Sequence, residues 1–288
     1  MKLNGKLSED RTNWVVRIIS GCLLIQLFLT EQLWWSLDRS FPTVPVFSFL
    51  PTLNNFWWSE LLPWGFVIAL LGAIVFVDKK VVIWSVVLLA TALIVLDVNR
   101  LQIWIYQWLS MLLVVVLLEN WKQRKIVFQF MLIALYFWSG FNKLNFSYVT
   151  HSFPWLMEGF EITKVLAANP ILALATAALE IVIAIGFLFR KTHKLSLGLA
   201  VGMHLLILLI LGPWGHNWNY PVWPWNAAMI ALVYILFFNE NFTGFKSFWN
   251  IGLFPKIIFF IWGIFPLGNT LELWDEQLSF KMYSGTNP

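Results

Sequence analysis

Three ionisable side chains stand where an apolar chain seldom puts them. Lys143 closes the apolar stretch Tyr136-Phe-Trp-Ser-Gly-Phe-Asn-Lys-Leu144. Glu180 and His204 fall in the middle of two further apolar runs, 170–189 and 195–212. A lysine at the rim of an apolar helix is partly desolvated. This disfavours its charged form and readies the amine as a general base. The competing reading is a lysine that snorkels to the membrane surface. Ala173, Ala177, Glu180 and Ala184 share one helical face, so the carboxylate is expected to face other helices, paired or protonated. Gly198 and Gly202 form a small-residue pair that predicts a close helix contact, and His204 projects about 200° round the helix from Gly202. Its imidazole is expected to meet a second helix or a cavity, because lipid would leave it unsatisfied. Glu180 itself is one candidate partner.

Asp97 and Arg100 flank the end of another apolar run and read as a local ion pair. Gln26, Gln107 and Gln129 are expected to bridge helices. The stretch Pro213-Trp-Gly-His-Asn-Trp-Asn-Tyr-Pro-Val-Trp-Pro-Trp-Asn226 packs four tryptophans and three prolines around His216 and Asn217. Proline stiffens such a segment and removes backbone donors. From Trp214 to Trp225 it reads either as a flat aromatic wall for a quinone ring or an apolar substrate, or as an interfacial lid.

The elements that must hold these groups follow from composition. Of 288 residues, 59% are hydrophobic and 12% charged, about half the charge usual for a soluble domain. That excludes a water-soluble globule, a disordered chain and a nucleic-acid binder. The single cysteine, Cys22, excludes an internal disulfide or a thiol relay. Nine apolar runs read as membrane spans: 13–33, 61–77, 81–96, 101–118, 126–141, 170–189, 195–212, 222–238 and 255–271. The expected fold is therefore an all-α polytopic helix bundle, one membrane domain over 1–288. With the N-terminus inside, 13 basic residues fall in cytoplasmic segments and 5 outside. The positive-inside rule thus puts the C-terminus outside, with 272–288 as an outward-facing tail. Lys143 falls on the outer side, where the longer connections lie. No metal-ligand spacing or nucleophile elbow is present, and no matched broken halves point to a transporter.

The segment Tyr136-Phe-x-x-Gly140-x-x-Lys143-Leu resembles the motif in the membrane domain of vitamin K-dependent gamma-carboxylase and its prokaryotic relatives, the HTTM proteins. An acidic residue in the sixth run, a histidine in the seventh, the aromatic turn after it and the tail Trp274-Asp-x-x-Leu-Ser-Phe-x-Met-Tyr-Ser-Gly285 are similar in order. The resemblance implies a membrane enzyme in which Lys143 deprotonates a reduced quinone of the vitamin K or menaquinol type. The outward-facing cavity expected with this reading is lined by Glu180, His204, His216, Asn217, Trp214, Trp225, Asp97 and Arg100. No metal is implied. The large lumenal domain of the carboxylase is missing from this sequence, so a separate extracytoplasmic protein would have to supply substrate binding. Asn142 stands where the carboxylase has the first of two lysines. The DoxX and MauE-like families share the Gly-x-x-Lys-Leu helix ending. They imply the alternative, a non-catalytic subunit that binds quinol or acts as a scaffold. A compact membrane domain of this kind points to a bacterial cytoplasmic membrane.

Overall fold

A computed structural model describes residues 2–35, 39–50, 52 and 57–285, with side chains described from residue 11 on except at 57 and 58. The last three residues of the expected tail, 286–288, lie outside the described residues. All regular structure among the described residues is helical. In chain order the main helices are α1 (Lys2–Leu29), α2 (Leu61–Val75), α3 (Lys80–Leu96), α4 (Ile103–Leu117), α5 (Trp121–Asn142), α6 (Pro170–Leu188), α7 (His193–Leu211) and α8 (Val222–Phe237). A ninth, α9 (Leu253–Leu271), changes pitch twice, from α through a π stretch at Phe259–Ile264 to a 3-10 stretch at Phe265–Leu271. Four segments are long and apolar enough to cross a membrane: Arg11–Leu29, α6, α7 and α9. Helices α2, α3, α4 and α8 are shorter apolar helices. The chain is thus an all-helical integral membrane protein.

The chain divides into two compact units, Met1–Arg124 and Lys125–Pro288. In the first, α2 packs on α1 and α3, and α4 on α1 and α3. Its interior is stitched by Gln26, whose side-chain oxygen Oε1 accepts from the Trp108 indole at 2.8 Å and so joins α1 to α4. Arg17 donates to the carbonyl of Ile74, near the end of α2. Asp97 is a buried hub rather than half of a simple pair. One carboxylate oxygen accepts from Arg39 at 2.6 Å and lies 3.7 Å from Arg100. The other accepts from the Val44 amide and from the Asn99 side chain. Arg100 in turn donates to the carbonyls of Leu33, Trp34 and Leu93. Both arginines and the aspartate have side chains almost wholly removed from solvent.

The second unit carries the chemistry. Helix α5 becomes apolar at Ile126, after three cationic residues in its first turns. Its start is marked by Asn120, whose side chain accepts from the Gln123 amide. Helix α6 has a proline at its first position and an Asn169 cap that accepts from the Leu172 amide at 3.0 Å. Between α5 and α6 the chain makes a π turn, Tyr148–Ser152, and a short helix, Phe153–Met157. Tyr148 and Phe153 bury themselves against Ala173 and Ala177 of α6. Gln129 ties α5 to α8 through the Leu236 carbonyl at 2.7 Å.

Candidate functional site

Helix α5 presents Tyr136, Ser139 and Lys143 at spacings of three and four residues, hence on one face. The Lys143 ammonium reaches back along the helix. It donates to the Ser139 hydroxyl at 2.8 Å and to both oxygens of Glu180 at 3.0 and 3.1 Å. Lys143 and Glu180 side chains are 8% and 12% exposed, so this is a largely desolvated pair and not a solvated rim contact. The pair is close because α5 and α6 are close. A Cβ placed on Gly140 would meet the Ala177 carbonyl oxygen at 2.6 Å and the Glu180 Cβ at 2.9 Å. Only glycine fits there. Ala173, Ala177 and Ala184 are fully buried, as the small-residue face of α6 required.

His204 does not pair with Glu180. Its ring bridges Tyr136 and Asn226, with Nε2 2.7 Å from the tyrosine oxygen and Nδ1 2.7 Å from Asn226 Oδ1. The proton positions follow. Asn226 Nδ2 donates to the Val222 carbonyl at 2.8 Å, so its oxygen is the atom turned to the imidazole. An amide oxygen only accepts, so Nδ1 carries the proton and Nε2 the lone pair. Tyr136 therefore donates its hydroxyl proton to Nε2 and keeps an oxygen lone pair for another donor.

Both groups open on one cavity of about 370 Å3, mostly apolar, with Tyr136, Lys143, Glu180, His204, Trp225 and Asn226 in its wall. Leu156 and Met157 of the short helix Phe153–Met157 also line it, as do Met282 and Tyr283 of the tail. The Gly198–Gly202 pair also lines it, and here the expected close helix contact is replaced by a gap. Apart from its own stretch of helix, no atom lies within 4 Å of a Cβ built on either glycine.

A second, wider cavity of about 980 Å3 lies beyond Tyr283, which borders both. His216 belongs to this vestibule, stacked on Trp155 at 4.2 Å with Trp218 edge-on to the same indole. Burial pushes the Tyr283 phenol well above its usual range, and it accepts from the Asn219 side chain at 2.6 Å. The tail is held over α5 by Asn142 and Asn145, which donate to the carbonyls of Ser279 and Ser284 at 2.7 and 2.8 Å. Ser147 bonds the Gly285 carbonyl.

The sequence-derived set therefore divides. Lys143, Glu180, His204 and Trp225 share the inner cavity. His216 lies in the vestibule. Trp214 is 78% exposed, and Asn217 is an exposed residue with a left-handed backbone; neither lines the inner cavity or the vestibule. Asp97 and Arg100 belong to the buried hub of the first unit and line neither cavity. Tyr136, Ser139, Asn226 and Tyr283 were not singled out from sequence. The three-and-four spacing on α5 was the available signal for the first two. No family model matches the chain, and comparisons with curated proteins and with solved structures gave no match.

Proposed function

We propose that this protein is a membrane enzyme that binds a reduced quinone in the inner cavity and deprotonates it through the Lys143–Glu180 pair. The observation that carries this reading is the convergence of a desolvated lysine–carboxylate pair and a tyrosine–histidine pair on one apolar cavity. Its volume lies within the range of small-molecule sites, about 300–1,000 Å3. The two polar groups are spaced for a ligand with two oxygens. Lys143 is anchored at Ser139, three residues or about 4.5 Å of helical rise from Tyr136. One quinol hydroxyl would face the Lys143 amine, and the other would donate to the free lone pair of Tyr136. In the proton transfer, Glu180 takes a proton from the Lys143 ammonium, and the freed amine takes the quinol proton. Quinolate, ammonium and a protonated carboxyl remain, and charge is balanced. The resemblance to the HTTM and carboxylase membrane domain points to the same role for Lys143.

Purified protein is expected to carry an extractable quinone and to bind reduced menadione. Tyr136→Phe should weaken that binding by up to about tenfold, the worth of one hydrogen bond. Absence of both bound quinone and menadiol binding would remove the quinol reading.

The proposal extends to topology. Nine spans, N-terminus inside and C-terminus outside in a bacterial cytoplasmic membrane, are supported by the 13-to-5 division of basic residues. A phosphatase reporter fused after Pro288 is expected to be active only outside the cytoplasm. Activity of a cytoplasm-only reporter at the same site would refute the orientation.

A further inference from the structure

The turn between α6 and α7 carries Arg190, Lys191 and Lys194 in five residues. Together with His193, Asn239 and Asn241 they line a pocket of about 350 Å3 whose wall is more polar than apolar. None of the three cations makes an ion pair or a side-chain hydrogen bond among the described residues. The nearest acid in sequence to the pocket wall, Glu240, is already held by Lys125 at 2.6 Å. No carboxylate lines the pocket. The N-terminus of the 19-residue α7 adds to the same potential. No side chain caps it, because the Thr192 hydroxyl donates instead to the Gly186 carbonyl at 2.8 Å. The concavity thus gathers three unneutralised cations, two side-chain amides and a helix N-terminus, which together suit a phosphate group.

Its position says where the phosphate comes from. Helices α6 and α7 are both long and apolar enough to cross a membrane, and in a bilayer that both cross, the pocket at their shared turn would lie where water meets lipid. Phe238 lines the pocket and is 45% exposed, while Leu195, next in sequence to Lys194, is 64% exposed. A charged headgroup in the pocket would leave its acyl chains beside those apolar side chains. We infer that this pocket binds the phosphate headgroup of an anionic membrane lipid.

The test uses the purified full-length chain in a neutral detergent, titrated with short-chain phosphatidylglycerol, phosphatidylcholine or inorganic phosphate. Phosphatidylglycerol should bind, phosphatidylcholine should bind much more weakly, and millimolar inorganic phosphate should not displace the lipid. Each cation near such a headgroup contributes about 1 kcal/mol, roughly a fivefold factor in affinity. The triple variant Arg190→Gln, Lys191→Gln, Lys194→Gln should therefore bind phosphatidylglycerol on the order of a hundredfold more weakly. All three side chains are exposed, so its helicity and lipid-free melting temperature should match the parent. Lys191→Arg with Lys194→Arg should bind as the parent does. Unchanged phosphatidylglycerol affinity in the triple variant, or equal affinity for phosphatidylcholine, would overturn the inference. Inorganic phosphate that competes at equal strength would also overturn it, leaving a free-anion site in its place.

Discussion

Lys143→Arg is expected to leave the protein folded and able to hold a quinone while slowing quinol deprotonation by about a hundredfold or more, the usual contribution of a general base. Arginine preserves the charge opposite Glu180, so the desolvated pair is kept. What it removes is the neutral amine, since a guanidinium does not deprotonate in proteins. Glu180→Gln should cause a comparable loss by a different route. The amide is nearly the same shape but cannot take the ammonium proton, so the amine is never freed. The measurement is quinol-dependent turnover alongside menadiol binding in both variants. If both retain full turnover, the pair is structural, and a non-catalytic quinol-binding subunit becomes the better reading.

Asp97→Asn should lower stability by about 3–5 kcal/mol, the cost of removing one partner from a buried ion pair. Both carboxylate oxygens of Asp97 face donors: Arg39 on one side, the Val44 amide and Asn99 on the other. Either orientation of an asparagine amide would turn its NH2 against one of them. Arg100 would lose its counter-charge as well. Burial already pulls its guanidinium down to about 10, against the opposing pull of Asp97. Equilibrium unfolding in mixed detergent would measure the loss. The solvent-exposed pair of Asp78 and Lys79 supplies the control, and Asp78→Asn should leave stability unchanged. Equal effects at the two positions would contradict the hub.

Composition and apolar runs sufficed to read the helical membrane architecture, and the alanine spacing around Glu180 foretold its inward face. Partner choice was not legible. Glu180 and His204 sit at similar depths on consecutive helices, and nothing in their spacing says that Gly140 brings α5 near enough to give Lys143 to the glutamate. The histidine then goes to Tyr136 and Asn226. The aromatic loop shows the same limit. Its density of tryptophan announces an interface, but the way each ring points depends on a backbone that turns left-handed at Asn217 and Asn219. Trp225 is drawn inside by α8, while Trp214 stays outside. Asp97 and Arg100 were rightly joined, but Arg39, some 58 positions earlier, completes their network. A contact so distant in sequence leaves no periodic trace.

The gap at Gly198 and Gly202 bears on how occupancy of the inner cavity is set. Gly198 is exposed and also lines the cavity, so at that point no side chain walls the cavity off from the surface of α7. Where such a surface meets the acyl chains of a bilayer, a cavity open through it would fill by partition. Its saturation follows the mole fraction of ligand dissolved in the bilayer, and adding more membrane at fixed total ligand dilutes the site even though the aqueous volume has not changed.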